Sequence, residues 1–527
     1  MPASYQQLHH LRRFSEHAAR GLDMARLNIG VWDISGVCDV AAMTEAINAH
    51  LRRHDTYHSW FEHRTDGRIV RHTFADPADI EFAALQRGEM TPTELRAHIL
   101  ATPNPLRWDC FTFGLVQHPD HFTFYMSADH LVIDGMSVGV IFLEIHLTYA
   151  ALVSGGRPLP LPEPASYHDY CRRQHQHTEA LTLQSPQVRA WIRFAQDNGG
   201  TLPSFPLPLG DPSVPCGSGV VVAPLMDESQ TERFDATCTK AGARFSGGVF
   251  ACAAFAEYEL TGAETYCAIT PYDHRSTPAE FVTPGWFASF IPVTVPVAGA
   301  SFGDAVIAAQ ASFDSAIGLA DVPFDRVLEL SSFGGRISKP TGDVHMLSFA
   351  DARGIPFSGQ WDGLNAGIYG DGRSSDQVLM WVNRFDTETT LTVAFPQNPV
   401  ARDSVERYIR AVRAMCLRVV EHGAAAVPNR RRVVAAVNAS AGPSPARRGL
   451  RRQPGPSVTS PRSTRAGHGC TLCHGGSVPA MPAHRARPQR RLLVGRLDAR
   501  DARDGGADAL VHPMLPVVVG PPGRIAQ

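Results

Sequence analysis

The sequence predicts an α/β fold with more than one domain. Short β-rich apolar runs alternate with stretches whose apolar residues recur at helical spacing. Two passages rich in Pro and Gly, residues 154–164 and 201–219, interrupt that alternation. A length of 527 residues with 44% hydrophobic content supplies core for two or three domains.

Taken in order, residues 28–34 read as a strand, and Gly36 separates it from a helix over residues 39–54. Val40, Met43, Ala46, Ile47 and Leu51 share one face of that helix, and Asp39 is placed to cap it. Residues 111–117 and 122–127 flank His118-Pro-Asp-His121, a pattern that predicts a hairpin. A tight turn over residues 127–137 follows. Val138, Ile141, Phe142, Ile145, Tyr149 and Leu152 then mark a helix with a buried face. Residues 154–164 form a loop by composition, Ser166 opens another helix, and residues 201–219 predict the crossing between two halves. The expected domains are residues 1–185, 186–427 and a tail, 428–527.

The net charge of −2 is unevenly spread. The tail carries 17 Arg, four Asp and neither Lys nor Glu, which leaves an acidic body. An acidic body argues against a nucleic-acid partner. The tail has no sustained amphipathic period and is rich in Pro, Gly and Arg, so disorder is expected there, with truncation at Val427 harmless to folding. Cysteines stand singly through the body, which points to a reducing, cytoplasmic setting. The N-terminus shows no apolar signal region. No uninterrupted run of about 18 apolar residues occurs, because Glu144 and His146 break the richest one, so any membrane contact is expected to be peripheral.

The turn concentrates the chemistry. His130 follows a strand, and Asp134 and Gly135 stand four and five residues on. A histidine titrates near neutrality and suits general-base work, while a carboxylate at the turn can pair with a cation and hold the loop. Gly135 permits close approach of substrate to the backbone. Two other patterns carry less. Cys470-Thr-Leu-Cys473-His474 has a haem-attachment form but lies in an Arg/Pro/Gly-rich stretch without an export signal, and reads as coincidence. His175 and His177 read as a solvated helix face, and no metal site is expected.

His130-x-x-x-Asp134-Gly135 resembles the His-His-x-x-x-Asp-Gly motif of a large acyltransferase superfamily. It includes chloramphenicol acetyltransferase, the condensation domains of nonribosomal peptide synthetases, wax ester synthases and the mycobacterial polyketide-associated acyltransferases. Asp129 replaces the first His, which points to the polyketide-associated branch. Residues 36–61 resemble the superfamily's early pattern: Arg53, His54 and Phe61 match, while Tyr57 and His58 stand where Leu and Arg are usual. Ser166-Tyr-His-Asp-Tyr170 is similar to the condensation-domain Tyr-x-Asp-Tyr element. Thr270-Pro-Tyr-Asp-His-Arg275 and residues 285–292 resemble the Asn-Arg and Gly-x-Phe-x-Asn-x-x-Pro elements, with Ser289 in place of Asn. Asp321-Val-Pro-Phe-Asp325 and residues 344–351 match two more landmarks.

The resemblance implies two chloramphenicol-acetyltransferase-like α/β lobes in a V, with the active site in a tunnel between them. It implies an O-acyltransferase in which His130 is the base, Asp134 completes the catalytic motif, and Gly135, Arg275 and Trp286 meet substrate. The donor would be an acyl thioester on coenzyme A or a carrier protein, without metal or other cofactor. The acceptor would be a hydroxyl of a glycolipid precursor such as trehalose, and a polyketide synthase or its carrier domain a possible partner. Asp134 lacks the usual Arg at position 58, so its cation is expected from His58, Arg53 or Arg275, with His58 favoured. Three alternatives stand beside this reading. One is transfer to a fatty alcohol or amine, and another a non-catalytic scaffold. The third is a hydrolase using Ser137, since Gly135-Met-Ser137-Val-Gly139 has the form of a nucleophile elbow; the plainer role for Ser137 is a helix cap.

Overall fold

The structure, a computed structural model, describes residues 2–64, 66–156, 160–332, 337–354, 363–373 and 376–429, and the backbone of 489–497 and 515–516. The first half runs α1 (Tyr5–Ala19), β1 (Leu27–Ser35), α2 (Val40–Arg53), β2 (Ser59–His63), β3 (Ile69–Thr73) and β4 (Glu81–Met90). It continues with α3 (Pro92–Leu100), β5 (Phe111–Gln117), β6 (His121–Asp129), α4 (Gly135–Val153), α5 (Tyr167–Glu179) and α6 (Pro186–Asp197). The second half runs β7 (Ser218–Asp227), α7 (Glu228–Lys240), α8 (Phe245–Thr261), β8 (Thr265–Asp273), α9 (Pro278–Phe281), β9 (Ala288–Pro296) and α10 (Phe302–Ala316). Then come α11 (Phe324–Ser331), β10 (Met346–Asp351), β11 (Gly367–Gly370), β12 (Leu379–Arg384), β13 (Glu388–Pro396) and α12 (Pro399–His422). Two tail strands complete the order, β14 (Gln489–Leu497) and β15 (Leu515–Pro516).

Each lobe is a mixed sheet packed by helices. The first sheet has the order β15-β11-β1-β6-β5-β14-β4, the second β7-β13-β12-β10-β8-β9. Met43, Ile47 and Leu51 of α2 and Ile141 and Ile145 of α4 bury against Phe111, Phe113, Phe122 and Phe124 of the first sheet. In the second lobe α8 is buried along most of its length, between the sheet and α12. Local chemistry sets the element ends: Asp39 caps α2 through the amides of Ala41 and Ala42, and Ser166 caps α5. Helix α4 is long and apolar enough to cross a membrane by length and composition, but here it packs in the lobe core with Glu144 buried in a polar cluster.

Three expectations about organisation are corrected. Strand β11, from the 186–427 segment, pairs antiparallel with β1 of the first lobe, Asn28 opposite Gly370 and Val31 opposite Gly367. An open strand edge takes any chain that reaches it, whatever its place in the sequence. The crossing precedes residues 201–219, because Val188, Trp191 and Phe194 of α6 already pack with Ile269, Val322 and Met346 of the second lobe. The tail is not wholly without structure: β14 lies parallel between β4 and β5, with Leu493 opposite both Leu85 and Gly114. A β-prone run from Leu492 to Val494 sits inside a composition that otherwise argues against order. Cys470, Cys473 and His474 lie outside the described residues.

Candidate active site

Strand β6 ends at Asp129 and α4 begins at Gly135, so His130 is carried on the short connection between a fully paired strand and a buried helix. The connection is held from both sides. The His130 amide donates to the Arg26 carbonyl at 2.8 Å, and Gln7 of α1 donates to the Leu131 carbonyl at 2.9 Å. The His130 ring is partly exposed and lies 3.8 Å, centre to centre, from the Trp286 indole. Its Nδ1 is enclosed and, among the described residues, meets only His130's own backbone, while Nε2 is not among the enclosed unpartnered nitrogens. Burial, and after it the neighbouring His10, push the His130 pKa below the ordinary histidine value. A neutral imidazole with one open lone pair can accept a proton.

Asp134 is the N-cap of α4 and a joint between the lobes. Arg275 donates to it twice, Nη1 to Oδ2 at 2.8 Å and Nη2 to Oδ1 at 3.0 Å. The Phe287 amide adds a bond to Oδ2 at 3.1 Å, and the Ser137 amide one to Oδ1 at 3.0 Å. Burial alone would raise this carboxyl, but the Arg275 ion pair and these bonds hold it below the usual carboxylate range. His58, the favoured partner, turns back on α2 and bonds the Leu51 carbonyl at 3.0 Å. Arg53 instead bonds Glu144 at 3.2 Å. The cation therefore comes from the other lobe.

That geometry also corrects the substrate-binding role expected for Arg275. Its side chain is fully enclosed, with bonds to Asp134, Asp273, Ser137 and the carbonyls of Glu280, Thr283 and Gly285. No donor is left for a substrate. Trp286 lies against His130, its indole forming the ring contact described above. Gly135 is exposed, and nothing lies within 4 Å of where a Cβ would be, so the space beside it is open. Gly285 is needed for another reason: a Cβ there would meet the Tyr167 ring at 2.4 Å.

Ser137 shares in the cap of α4 without being its N-cap residue. It is the third residue of α4, reciprocating the Asp134 cap, and its buried Oγ contacts Asp134 at 2.7 Å and the Gly285 carbonyl at 3.1 Å. An enclosed hydroxyl spoken for on both sides has no path to a carbonyl carbon, which removes the hydrolase reading. One cluster among the described residues has the makings of a cation site, His50, His54 and Glu144. His50 Nδ1 and His54 Nε2 lie 2.7 and 2.6 Å from Glu144 Oε2, and Arg53 takes Oε1. Two imidazole hydrogens and a guanidinium already satisfy the carboxylate, so an ion would have to displace hydrogen bonds and share the pocket with Arg53.

Helix α1 was not legible as part of this site. It delivers Gln7 and also His10, whose ring lies 6.5 Å from that of His130. The pair His9-His10 inside an amphipathic run was the available signal.

Residues 30–337 match the Condensation domain family. Over 422 residues, 80% of this chain and 90% of the relative, the sequence is 56% identical to trehalose-2-sulfate acyltransferase PapA2 of Mycobacterium bovis (strain BCG / Pasteur 1173P2). It is 52% identical over 428 residues, 81% of this chain and 83% of the relative, to 2'-acyl-2-O-sulfo-trehalose (hydroxy)phthioceranyltransferase PapA1 of Mycobacterium tuberculosis (strain CDC 1551 / Oshkosh). A solved PapA2 acyl transferase superposes with a TM-score of 0.76 at 54% identity, covering 80% of this chain and 92% of that one. The X-domain from teicoplanin biosynthesis shares the fold, with a TM-score of 0.61 at 18% identity over 80% of this chain and 95% of that one. The chain belongs to the condensation-domain family and is an acyltransferase.

Proposed function

We propose that this acyltransferase moves a long-chain or polyketide-derived acyl group from a thioester to a hydroxyl of a trehalose-based glycolipid precursor. The observation that carries the chemistry is the open Nε2 of His130 on a ring backed by Trp286. Nε2 takes the acceptor hydroxyl proton as that oxygen attacks the thioester carbonyl carbon. The new C–O bond makes a tetrahedral oxyanion, whose collapse breaks the C–S bond, and the departing thiolate takes the proton back from Nε2. The acyl group arrives activated, so the scheme uses no acyl-enzyme and no metal. Asp134 acts here through geometry: with Arg275 it fixes the turn and ties it to the second lobe. The open space beside Gly135 leaves room for the reacting groups. The acceptor class follows the relatives, whose names specify sulfated trehalose.

The test is incubation of the purified protein with labelled long-chain acyl-coenzyme A and trehalose 2-sulfate, with mass analysis of products and protein. Acylated sugar from the wild type and none from His130→Ala is the expected result. Acyl groups bound covalently to the protein, or transfer undiminished in His130→Ala, would overturn the scheme.

A further inference from the structure

Asp129, one residue before the base, is fully buried, and its two oxygens do different work. Oδ2 accepts from Arg26 Nη1 at 2.7 Å. Oδ1 accepts from the Leu131 amide at 3.0 Å and faces His10 Nε2 at 2.7 Å. Arg26 itself is fixed by the Thr102 and Pro103 carbonyls, so Asp129 sits in a rigid cationic seat. An ionised carboxylate can only accept. His10 Nε2 must therefore carry the hydrogen of this pair, which leaves Nδ1 as the other polar atom of the ring.

Among the described residues His10 Nδ1 has no hydrogen-bond partner and, unlike Nδ1 of His130, it is not among the enclosed unpartnered nitrogens. Its ring packs edge-on to Trp286 at 5.6 Å, on the same indole that backs His130 at 3.8 Å. With ring centres 6.5 Å apart, the two histidines leave room between them for two hydroxyls of one acceptor. Two hydroxyls on adjacent carbons bridge such a gap, each about 2.8 Å from its own nitrogen.

We propose that His10, oriented by Asp129, binds the hydroxyl adjacent to the one His130 deprotonates, so that the site selects 1,2-diol acceptors of the kind sugars present. This rests on His130 as the base. It adds a second polar anchor, which turns a bound sugar so that a chosen hydroxyl meets His130. A simple alcohol offers His10 nothing.

The experiment compares kcat/KM for long-chain acyl-coenzyme A with trehalose 2-sulfate and with analogues lacking one hydroxyl each, in wild type, His10→Phe and Asp129→Asn. Phe keeps the ring contact with Trp286 and removes both nitrogens; Asn keeps the shape and loosens the grip on His10. In the wild type, losing the hydroxyl beside the acylated one should cost about 5- to 10-fold, one hydrogen bond's worth. In His10→Phe the intact acceptor should fall by a similar factor, mainly through KM, and the deoxy analogue should fall no further. Asp129→Asn should show the same flattened discrimination, and decides the matter if His10→Phe does not fold. Discrimination as sharp in the folded variants as in the wild type would overturn the assignment of His10 while leaving His130 as the base. A wild type that transfers nothing to the sugar would overturn both.

Discussion

Helix α4 buries two carboxylates, Asp134 at its start and Glu144 in its middle, and they are satisfied in opposite ways. Asp134 reaches across the molecule to Arg275, 141 residues away in the other lobe. Glu144 stays at home, taking hydrogens from His50 and Arg53 of the adjacent helix α2 and from its C-cap residue His54. In both, burial would raise the carboxyl and the partners outweigh it, so both stay ionised. The imidazoles around Glu144 are consumed by it: His54 is pushed down to about 4, burial being the main cause, and acts as a neutral donor. His130, by contrast, has no carboxylate on its ring and keeps a nitrogen for substrate. One helix and the turn that leads into it thus hold a joint between lobes, a brace within a lobe, and a histidine free of any carboxylate.

The largest expected effect breaks the free base. His130→Ala should lower kcat/KM by about 10²–10⁴-fold with little change in Tm. Because the His130 pKa is lowered, the acid limb of the wild-type kcat/KM profile should lie below the ordinary histidine value of 6.5. A limb at or above it would mean a different group is titrating.

Breaking the joint comes next. Arg275→Met leaves the Asp134 charge buried and alone, and should cost about 3–5 kcal/mol by urea denaturation, with activity lost alongside. Adding Asp134→Asn should recover part of that stability. The sign with pH follows from the lowered Asp134 carboxyl: its contribution is whole above the ordinary value of 3.8 and is lost as pH falls below it. Arg275→Met should therefore bring stability closer to wild type in strong acid.

The brace should matter less. Glu144→Gln keeps the shape but weakens the bonds to α2, for a loss of about 2 kcal/mol with turnover largely kept. Zinc added to the wild type should leave Tm unchanged. A zinc-dependent rise abolished by Glu144→Gln would show that the cluster holds an ion after all.

A smaller change should go the other way. Glu257, in the second lobe, is raised to about 8 by burial, and the nearest His345 nitrogen is 3.6 Å away. Below its ordinary value of 4.5 the group is protonated folded and unfolded alike; from there up to about 8 its burial increasingly disfavours the fold. Glu257→Gln should gain about 1 kcal/mol at pH 7, measured by calorimetry, and nothing at pH 4.

Much of this arrangement could be read in advance. Strand β1, helix α2, the β5–β6 hairpin and α4 follow from periodicity and caps, and the family motif singles out His130. What could not be read depends on partners distant in sequence. Arg275 stood in a recognisable element, yet its bond to Asp134 exists only because residues 273–287 fold against the start of α4. A substitution at position 58 invited a local repair, and the protein made a distant one. Asp129 looked like a lost histidine. In three dimensions it recruits His10 from a helix whose weak pattern gave no cause to weigh it.

Strand β11 sets a timetable as well as a topology. Its partner, β1, emerges from the ribosome some 340 residues earlier, as the pairing of Asn28 with Gly370 requires. At about 5–20 residues per second, β1 waits on the order of 20–70 seconds with one edge unpaired. During that interval the lobe bearing His130 lacks a strand, and its Val31–Asn28 edge is open to pairing with another chain. The first lobe therefore cannot mature on its own schedule, and a nascent chain released before residue 370 would carry the base on an incomplete sheet.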